Sequence, residues 1–550
     1  MIDQHSQYCL RVVFGIGPIL DNLRLTHVVA ALAVASCVTL PMTARVIPPG
    51  QKPNIRLARQ VTYDSSGFYA ISTAIADFNG DSKPDLVVAN ECEDTSTCPG
   101  EVAVLLGNGD GTFQSAMTYS TGAHVADSVA AGDVNGDGKP DLVVANECLS
   151  LNPQGNCTGI SVVSVLFGNG DGTFQSAVTY STDSYGALFV VIGDLRGKGV
   201  LDLVVANGCS NNCVSGTASV LLGNGDGTFQ AAVNYGSGDS YAESVAVADL
   251  NRDGIPDLVL ANLCSANGGC EPDGGDADVG VLLGNGDGTF RPAKIYDSGG
   301  RFTYSVTVGD FRGNGILDLA AASGFVQNSV SVLLGNGKGK FNSPVTYELR
   351  DWAYDAVVVG DIDGDGNLDL VVVDECEHVR VKSCVGTGKV SVLLGNGDGT
   401  FQAAIRYDSG GYGGSAIAVG DVNGDGRPDI VVTNLCGPDK SCVSHGTVAV
   451  LLNKTTYKTT TALTSSPNPS HVNQSVTFTA TITSTPAAPD GETVTFYNGK
   501  TNLGTGTTKN GVATLTTSFA KADTYTIKAT YSGDPFRKKS TGTVKQVVNP

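Results

Sequence analysis

Residues 133–141 read Asp-Val-Asn-Gly-Asp-Gly-Lys-Pro-Asp. Counted from Asp133, oxygen-bearing side chains stand at positions one, three, five and nine, as Asp133, Asn135, Asp137 and Asp141. Lys139, at position seven, offers its backbone carbonyl. Calcium takes about six to eight hard oxygen ligands, and a mixture of carboxylate, amide and carbonyl suits it. Gly138 at position six permits the sharp turn such a loop needs. The loop is not an EF-hand, because its twelfth position is Val144 rather than glutamate and a strand-like run follows it. A catalytic carboxylate cluster and a metal-free Asx-rich turn are the competing readings. Bare carboxylates this close repel one another, which weighs against the turn alone.

The phrase recurs, and recurrence decides between a unique site and a scaffold. Its first aspartate is Asp77, Asp133, Asp194, Asp249, Asp310, Asp361 and Asp421, at intervals of 51 to 61 residues. A catalytic cluster is normally unique in a domain, so the repetition argues for architecture. Four further copies keep the full donor set: Asp77, Asn79, Asp81, Lys83 and Asp85; Asp249, Asn251, Asp253, Ile255 and Asp257; Asp361, Asp363, Asp365, Asn367 and Asp369; Asp421, Asn423, Asp425, Arg427 and Asp429. The copy at Asp194 instead has Arg196 and Lys198 at positions three and five, and that at Asp310 has Arg312 and Asn314. Both retain the glycine and the last aspartate, as Gly199 with Asp202 and Gly315 with Asp318. In these two a basic side chain is expected to neutralise the carboxylates in the ion's place. About five calcium sites are therefore expected.

Four strand-like runs per repeat must position these loops. In the second repeat they are 113–119, 127–133, 141–146 and 160–168. The run after each acidic loop, such as "DLVVAN", is continuously apolar, as expected of a strand covered on both faces. A second phrase, "LLGNGDGTF" or a close variant, supplies residues that tolerate positive φ in a tight hairpin. Its Asp110, Asp171, Asp226, Asp287 and Asp398 are read as turn formers, because Lys338 takes the same place in the fifth repeat. Gly 71 of 550 and only 16% charged residues fit many short strands joined by turns. The fold class is all-β: seven units of four strands predict a seven-bladed β-propeller over 56–453. The last repeat lacks the "FQxAVTY" strand and the first is preceded by an orphan copy, "LARQVTYD" at 57–64, so the two ends are expected to close the ring together.

These residues resemble the FG-GAP/VCBS repeats of bacterial surface and secreted proteins, which are similar to the blades of integrin α-subunits. The resemblance implies calcium in nine-residue blade loops. It implies little about the ligand, since such propellers serve adhesins, lectins and accessory domains of enzymes.

Twelve cysteines form six close pairs: Cys92 with Cys98, Cys148 with Cys157, Cys209 with Cys213, Cys264 with Cys270, Cys376 with Cys384, and Cys436 with Cys442. Each pair spans a loop between two antiparallel runs, which predicts local disulfides and an oxidising compartment. Zinc is the alternative, but no pair has histidines at ligand spacing. Residues 1–44 read as a signal peptide, with an apolar core behind Arg11 and Arg24. The segment "VASC", ending at Cys37, resembles a lipobox and gives an alternative ending as a lipoprotein. The expected location is secreted or cell-surface, with no transmembrane segment in the mature chain.

Residues 457–550 change to Thr, Ser, Val and Lys in alternating runs, which predicts a small β-sandwich resembling bacterial Ig-like domains. From residue 451 onward there are ten Lys/Arg and four Asp/Glu, so the acidity belongs to the propeller. A spacer or stalk is the expected role of this module. The net charge of −20 argues against nucleic acid. Scattered histidines, with His124 the strongest candidate general base, and the lack of a serine elbow or HExxH motif argue against catalysis. Loops that depart from the repeat, including the one with Trp352 and Tyr354, are the expected place for a glycan or extracellular protein ligand. The expected protein is a monomeric, calcium-stabilised binding or adhesion molecule; an accessory substrate-binding scaffold of an extracellular enzyme system is the alternative.

Overall fold

The computed structural model describes residues 55–550 apart from 93–97, 153–156, 210–214, 265–276, 325–328, 350–355, 375–377, 381–382, 386 and 438–444. The signal segment with Cys37 lies outside the described residues, as do Trp352 and Tyr354. All regular structure among the described residues is β-strand.

Each repeat folds as a four-stranded antiparallel sheet. In the Asp194 repeat, Tyr185–Gly193 pairs with Asp202–Cys209, which pairs with Thr217–Leu221, which pairs with Val233–Gly236. The Asp249, Asp310 and Asp361 repeats have the same order. The Asp77 and Asp133 repeats are joined, because Met117–Gly132 runs as one 16-residue strand, outermost in the first and innermost in the second. This corrects the expectation of two separate strands at 113–119 and 127–133. Residues 120–124 stay hydrogen-bonded to the preceding strand (Glu101 opposite Ser120, Pro99 opposite His124), so the chain bends without leaving the sheet.

The apolar run after each acidic loop is fully buried: Leu86, Val87, Val88 and Ala89 are 0% exposed. Covering a strand on both faces requires neighbours on both sides, and the ring provides them. The inner strands Phe68–Ala76, Met117–Gly132, Tyr185–Gly193, Ser240–Ala248, Thr303–Gly309, Ala356–Gly360 and Tyr412–Gly420 each touch the next, and the last touches the first. Serines stitch neighbouring inner strands: Val129 N–H donates to Ser72 Oγ (3.2 Å) and Val306 N–H to Ser244 Oγ (3.1 Å). Further out, Tyr119 meets Phe174 of the next repeat edge-on at 5.4 Å between centroids, and Tyr180 meets Phe229 at 5.3 Å.

The chain ends close on each other. Val61–Asp64 pairs with Thr447–Leu451 in the register Val61 opposite Val450. Residues just before it replace the missing hairpin as well: Ala58 N–H donates to Leu452 O and Lys454 N–H to Arg56 O, both at 2.7 Å. These bonds repeat those of Gln114 to Leu106 O and Asn108 to Thr112 O in the first repeat. Tyr63 then meets Phe113 across the junction at 5.6 Å.

Beyond the ring, Thr460–Ser466, Val476–Thr483 and Val512–Thr517 form a three-stranded sheet. It packs on a five-stranded sheet that includes Thr493–Asn498, Asp523–Tyr531 and Ser540–Asn549. Phe478, Phe496 and Tyr531 fill the core between them at 0% exposure, which is the sandwich that the alternating pattern predicts.

Candidate functional site: the acidic loops

Every acidic loop runs from an inner strand to the buried strand beside it, and its last aspartate opens that strand. This ninth-position carboxylate is an internal staple. In the Asp133 loop, Asp141 is 0% exposed; its Oδ2 accepts the Val134 N–H (3.1 Å) and its Oδ1 the Gly168 N–H of the next hairpin (2.9 Å). Asp85 does the same for Phe78 and Gly107, and Asp369 for Ile362 and Gly395. The first-position carboxylate closes the loop on itself, with Asp133 Oδ1 accepting the Gly136 N–H and Oδ2 the Gly138 N–H, each at 2.7 Å. Asn135 and Asp137 accept backbone N–H groups two residues on, the bonding of Asx turns. At position seven, the Lys139 ammonium lies 3.7 Å from Asp137 and that of Lys83 3.1 Å from Asp81, while Arg427 pairs with Asp425.

The loops with basic residues show what these carboxylates require. Arg196 donates from Nη2 to Asp202 Oδ1 (2.5 Å) and to Gly223 O (2.7 Å), and from Nε to Asp202 Oδ2 (3.2 Å). Arg312 repeats the fork on Asp318 and Gly335. The third-position guanidinium is thus the neutralising group, whereas Lys198 contributes its backbone N–H to Asp194. Among the described residues no guanidinium reaches the ninth carboxylate of an intact loop. Burial, opposed by hydrogen bonds from Gly168 and Val134 and reinforced by Asp137 and Asp133, pushes Asp141 up to about 6. Asp257 and Asp429 are raised to the same level, again chiefly by burial.

The Asp361 loop is the most enclosed. Asp361, Asp363 and Asp369 bring carboxylate oxygens within 4.8 Å of one another. Burial, then the charges of Asp365 and Asp361, push Asp363 up to about 8. An all-oxygen donor set of this kind fits a hard divalent cation, whose charge would stabilise the ionised carboxylates. The Gly-Asn-Gly-Asp-Gly hairpins are different: Asp110 Oδ1 accepts from Thr112 N (3.0 Å) and Oγ1 (2.6 Å), the bonding of a turn.

The alternating strand directions put the cysteine loops at the opposite end of the ring. Cys92–Cys98 and Cys148–Cys157 are disulfides, and Cys209 and Cys436 are disulfide-bonded. Cys213, Cys270, Cys376 and Cys442, and the side chains of Cys264 and Cys384, lie outside the described residues. At this end the inner strands carry a bulge that the sequence does not announce. Tyr69, Val125, Tyr241 and Phe302 hold φ between 55° and 62° there, a region that costs a side-chain-bearing residue energy. Two of these residues pack across repeat boundaries, Tyr69 on Leu435 and Phe302 on Leu263. His124 sits among them, half-buried, with Nδ1 3.3 Å from Cys98 O.

A propeller with repeated acidic loops at one end and disulfide-bonded loops at the other defines a class, and comparison with known proteins identifies it. Residues 61–144, 199–260, 313–372 and 383–432 match the FG-GAP-like repeat, and residues 463–549 match the bacterial Ig-like domain, group 3. The chain is an FG-GAP-like repeat propeller with a C-terminal bacterial Ig-like domain. Similar solved structures include an exotype rhamnogalacturonan lyase, YesX (14% identity, TM-score 0.43, covering 73% of this chain and 75% of that one). The Dos1 propeller is another (9% identity, TM-score 0.41, 72% and 94%), as is the Vibrio cholerae biofilm matrix protein Bap1 (13%, 0.34, 72% and 90%).

Proposed function

We propose that the chain is an exported, calcium-stabilised binding protein that recognises a glycan or an extracellular protein through the cysteine-loop end of its ring, without catalysing a reaction. The observation that carries this reading is the division of labour between the two ends. The acidic loops repeat one carboxylate scaffold whose ninth position is committed to backbone N–H groups. The cysteine-loop end instead holds the segments that differ from repeat to repeat, with half-buried Phe68, Tyr185, Tyr241 and Tyr412. Aromatic faces of this kind stack on sugars or anchor protein partners. Calcium in the five intact loops would hold the ring rigid beneath that surface, with positions one, three, five, seven and nine as donors. The disulfides fit an oxidising compartment outside the cytoplasm, and among the described residues no helix is long and apolar enough to cross a membrane.

The test is a glycan array together with capture of proteins from the extracellular matrix, using the full chain in calcium. Binding is expected, and Tyr185→Ala and Trp352→Ala should abolish it while Asp110→Ala leaves it intact. Binding that survives both aromatic substitutions but fails with changes on the acidic-loop end would overturn the assignment of the face.

A further inference from the structure

The Ig-like domain does not hang from the ring on a free tether. Its turn at residues 534–538 sits on two acidic loops. Tyr457 N–H donates to Phe536 O (2.7 Å) and Lys538 N–H to Tyr457 O (3.0 Å), which ties the connecting segment to the turn. Arg537 Nη2 donates to Gly364 O in the Asp361 loop at 2.8 Å, and Arg427 Nη1 in the Asp421 loop donates to Pro535 O at 2.6 Å. The approach is so close that a Cβ on Gly364 would lie 2.3 Å from the Phe536 ring, and one on Gly426 2.5 Å from Pro535. Phe536, Arg537 and Tyr457 are each at most 8% exposed. The domain is also rich in Lys and Arg, opposite in charge to the ring it covers.

We propose that cation occupancy of the Asp361 loop and docking of the Ig-like domain are coupled, so that calcium latches the two domains into one body. The inference rests on the calcium reading above. Docking encloses Asp361, Asp363 and Asp365, which in the Asp133 loop have an exposed counterpart in Asp137. Arg537 brings a single positive charge, and its Nη1 already pairs with Asp534 at 3.2 Å. One shared guanidinium cannot neutralise four carboxylates, so docking without a cation concentrates uncompensated charge away from water. Undocking returns the loop to solvent. A divalent ion removes the penalty, and by reciprocity docking tightens ion binding at this loop by the same factor.

The test uses the full chain, with bound calcium counted by equilibrium dialysis. Trypsin cleavage after Lys454 and Lys458 reports the connecting segment, and small-angle scattering reports the overall dimension. Chelation should accelerate cleavage about tenfold and lengthen the particle. Asp363→Asn with Asp365→Asn removes charge that docking would strand, so it should lose one ion and keep the segment protected with or without chelator. Asp137→Asn should lose one ion and keep the segment protected in calcium alone. Phe536→Ala, which loosens docking without changing the charge beside the loop, should weaken one calcium site about tenfold and reads the coupling from the other side if the aspartate variant fails to fold. Calcium bound at unchanged strength in Phe536→Ala, with protection indifferent to chelation, would overturn the coupling and leave the calcium reading standing. A chain that binds no calcium would overturn both.

Discussion

A carboxylate buried among others can be tolerated by a proton, a basic side chain or a metal ion, and in two loops of this protein a guanidinium is the partner. Asp202, at 0% exposure, has the Arg196 fork, so Arg196→Ala should cost about 3 kcal/mol by stranding a buried charge. Lys198→Ala, which keeps the backbone N–H, should cost less than about 0.5 kcal/mol. Denaturant unfolding of the two variants compares them directly, and equal effects would remove the guanidinium from its assigned place. The intact loops allow a second separation. Asp137 is exposed and satisfies no buried N–H group, so Asp137→Ala should lower the melting temperature in calcium and leave it unchanged in chelator. Asp141 also satisfies two buried N–H groups, so Asp141→Ala should cost about 2–4 kcal/mol in either condition. Melting curves with and without calcium should therefore sort the donors into those that serve the ion alone and those that also hold the fold.

At the scale of elements, the ring depends on contacts between strands far apart in sequence. Residues 55–64 supply an outer strand and the hydrogen bonds of a hairpin to the last repeat. Deleting them should leave the edge of Thr447–Leu451 unpaired and the chain prone to associate, whereas losing the same length from the C-terminus should leave the ring folded. Sedimentation of both truncations checks this, and two equally monomeric products would contradict it. The serine stitches set a smaller scale. Ser128 Oγ accepts the Val190 N–H at 3.3 Å, and Ser128→Ala should cost about 1 kcal/mol by leaving that buried donor unpaired.

For the whole molecule, the two faces of the ring have different chemistry and the Ig-like domain chooses between them. It covers the Asp361 and Asp421 loops, on the end away from the cysteine loops. The module therefore caps part of the acidic end. Disulfide mapping of exported protein should return six links, each within one repeat. Cross-repeat links would mean that the cysteine-loop end is assembled differently from the pairs at Cys92 and Cys148.

Local sequence determined the repeats, the buried strands and the loop geometry, because each depends on residues within about ten positions of one another. "DVNGDGKPD" contains both partners of its own Asx turns, and "DLVVAN" carries its burial in its composition. The orphan strand was legible too, since a strand missing at one end and supernumerary at the other has one economical pairing. What the sequence left open lies between units. The left-handed φ of Val125 follows from packing inner strands around a ring, not from valine, which disfavours it. Arg196 and Lys198 both look like replacements for an ion until the fold shows which one reaches Asp202. The meeting of Phe536 with Gly364 links positions 172 residues apart across two domains, with no periodicity to announce it. Repetition encodes what each unit does alone; the contacts that break the symmetry exist only once the chain has folded.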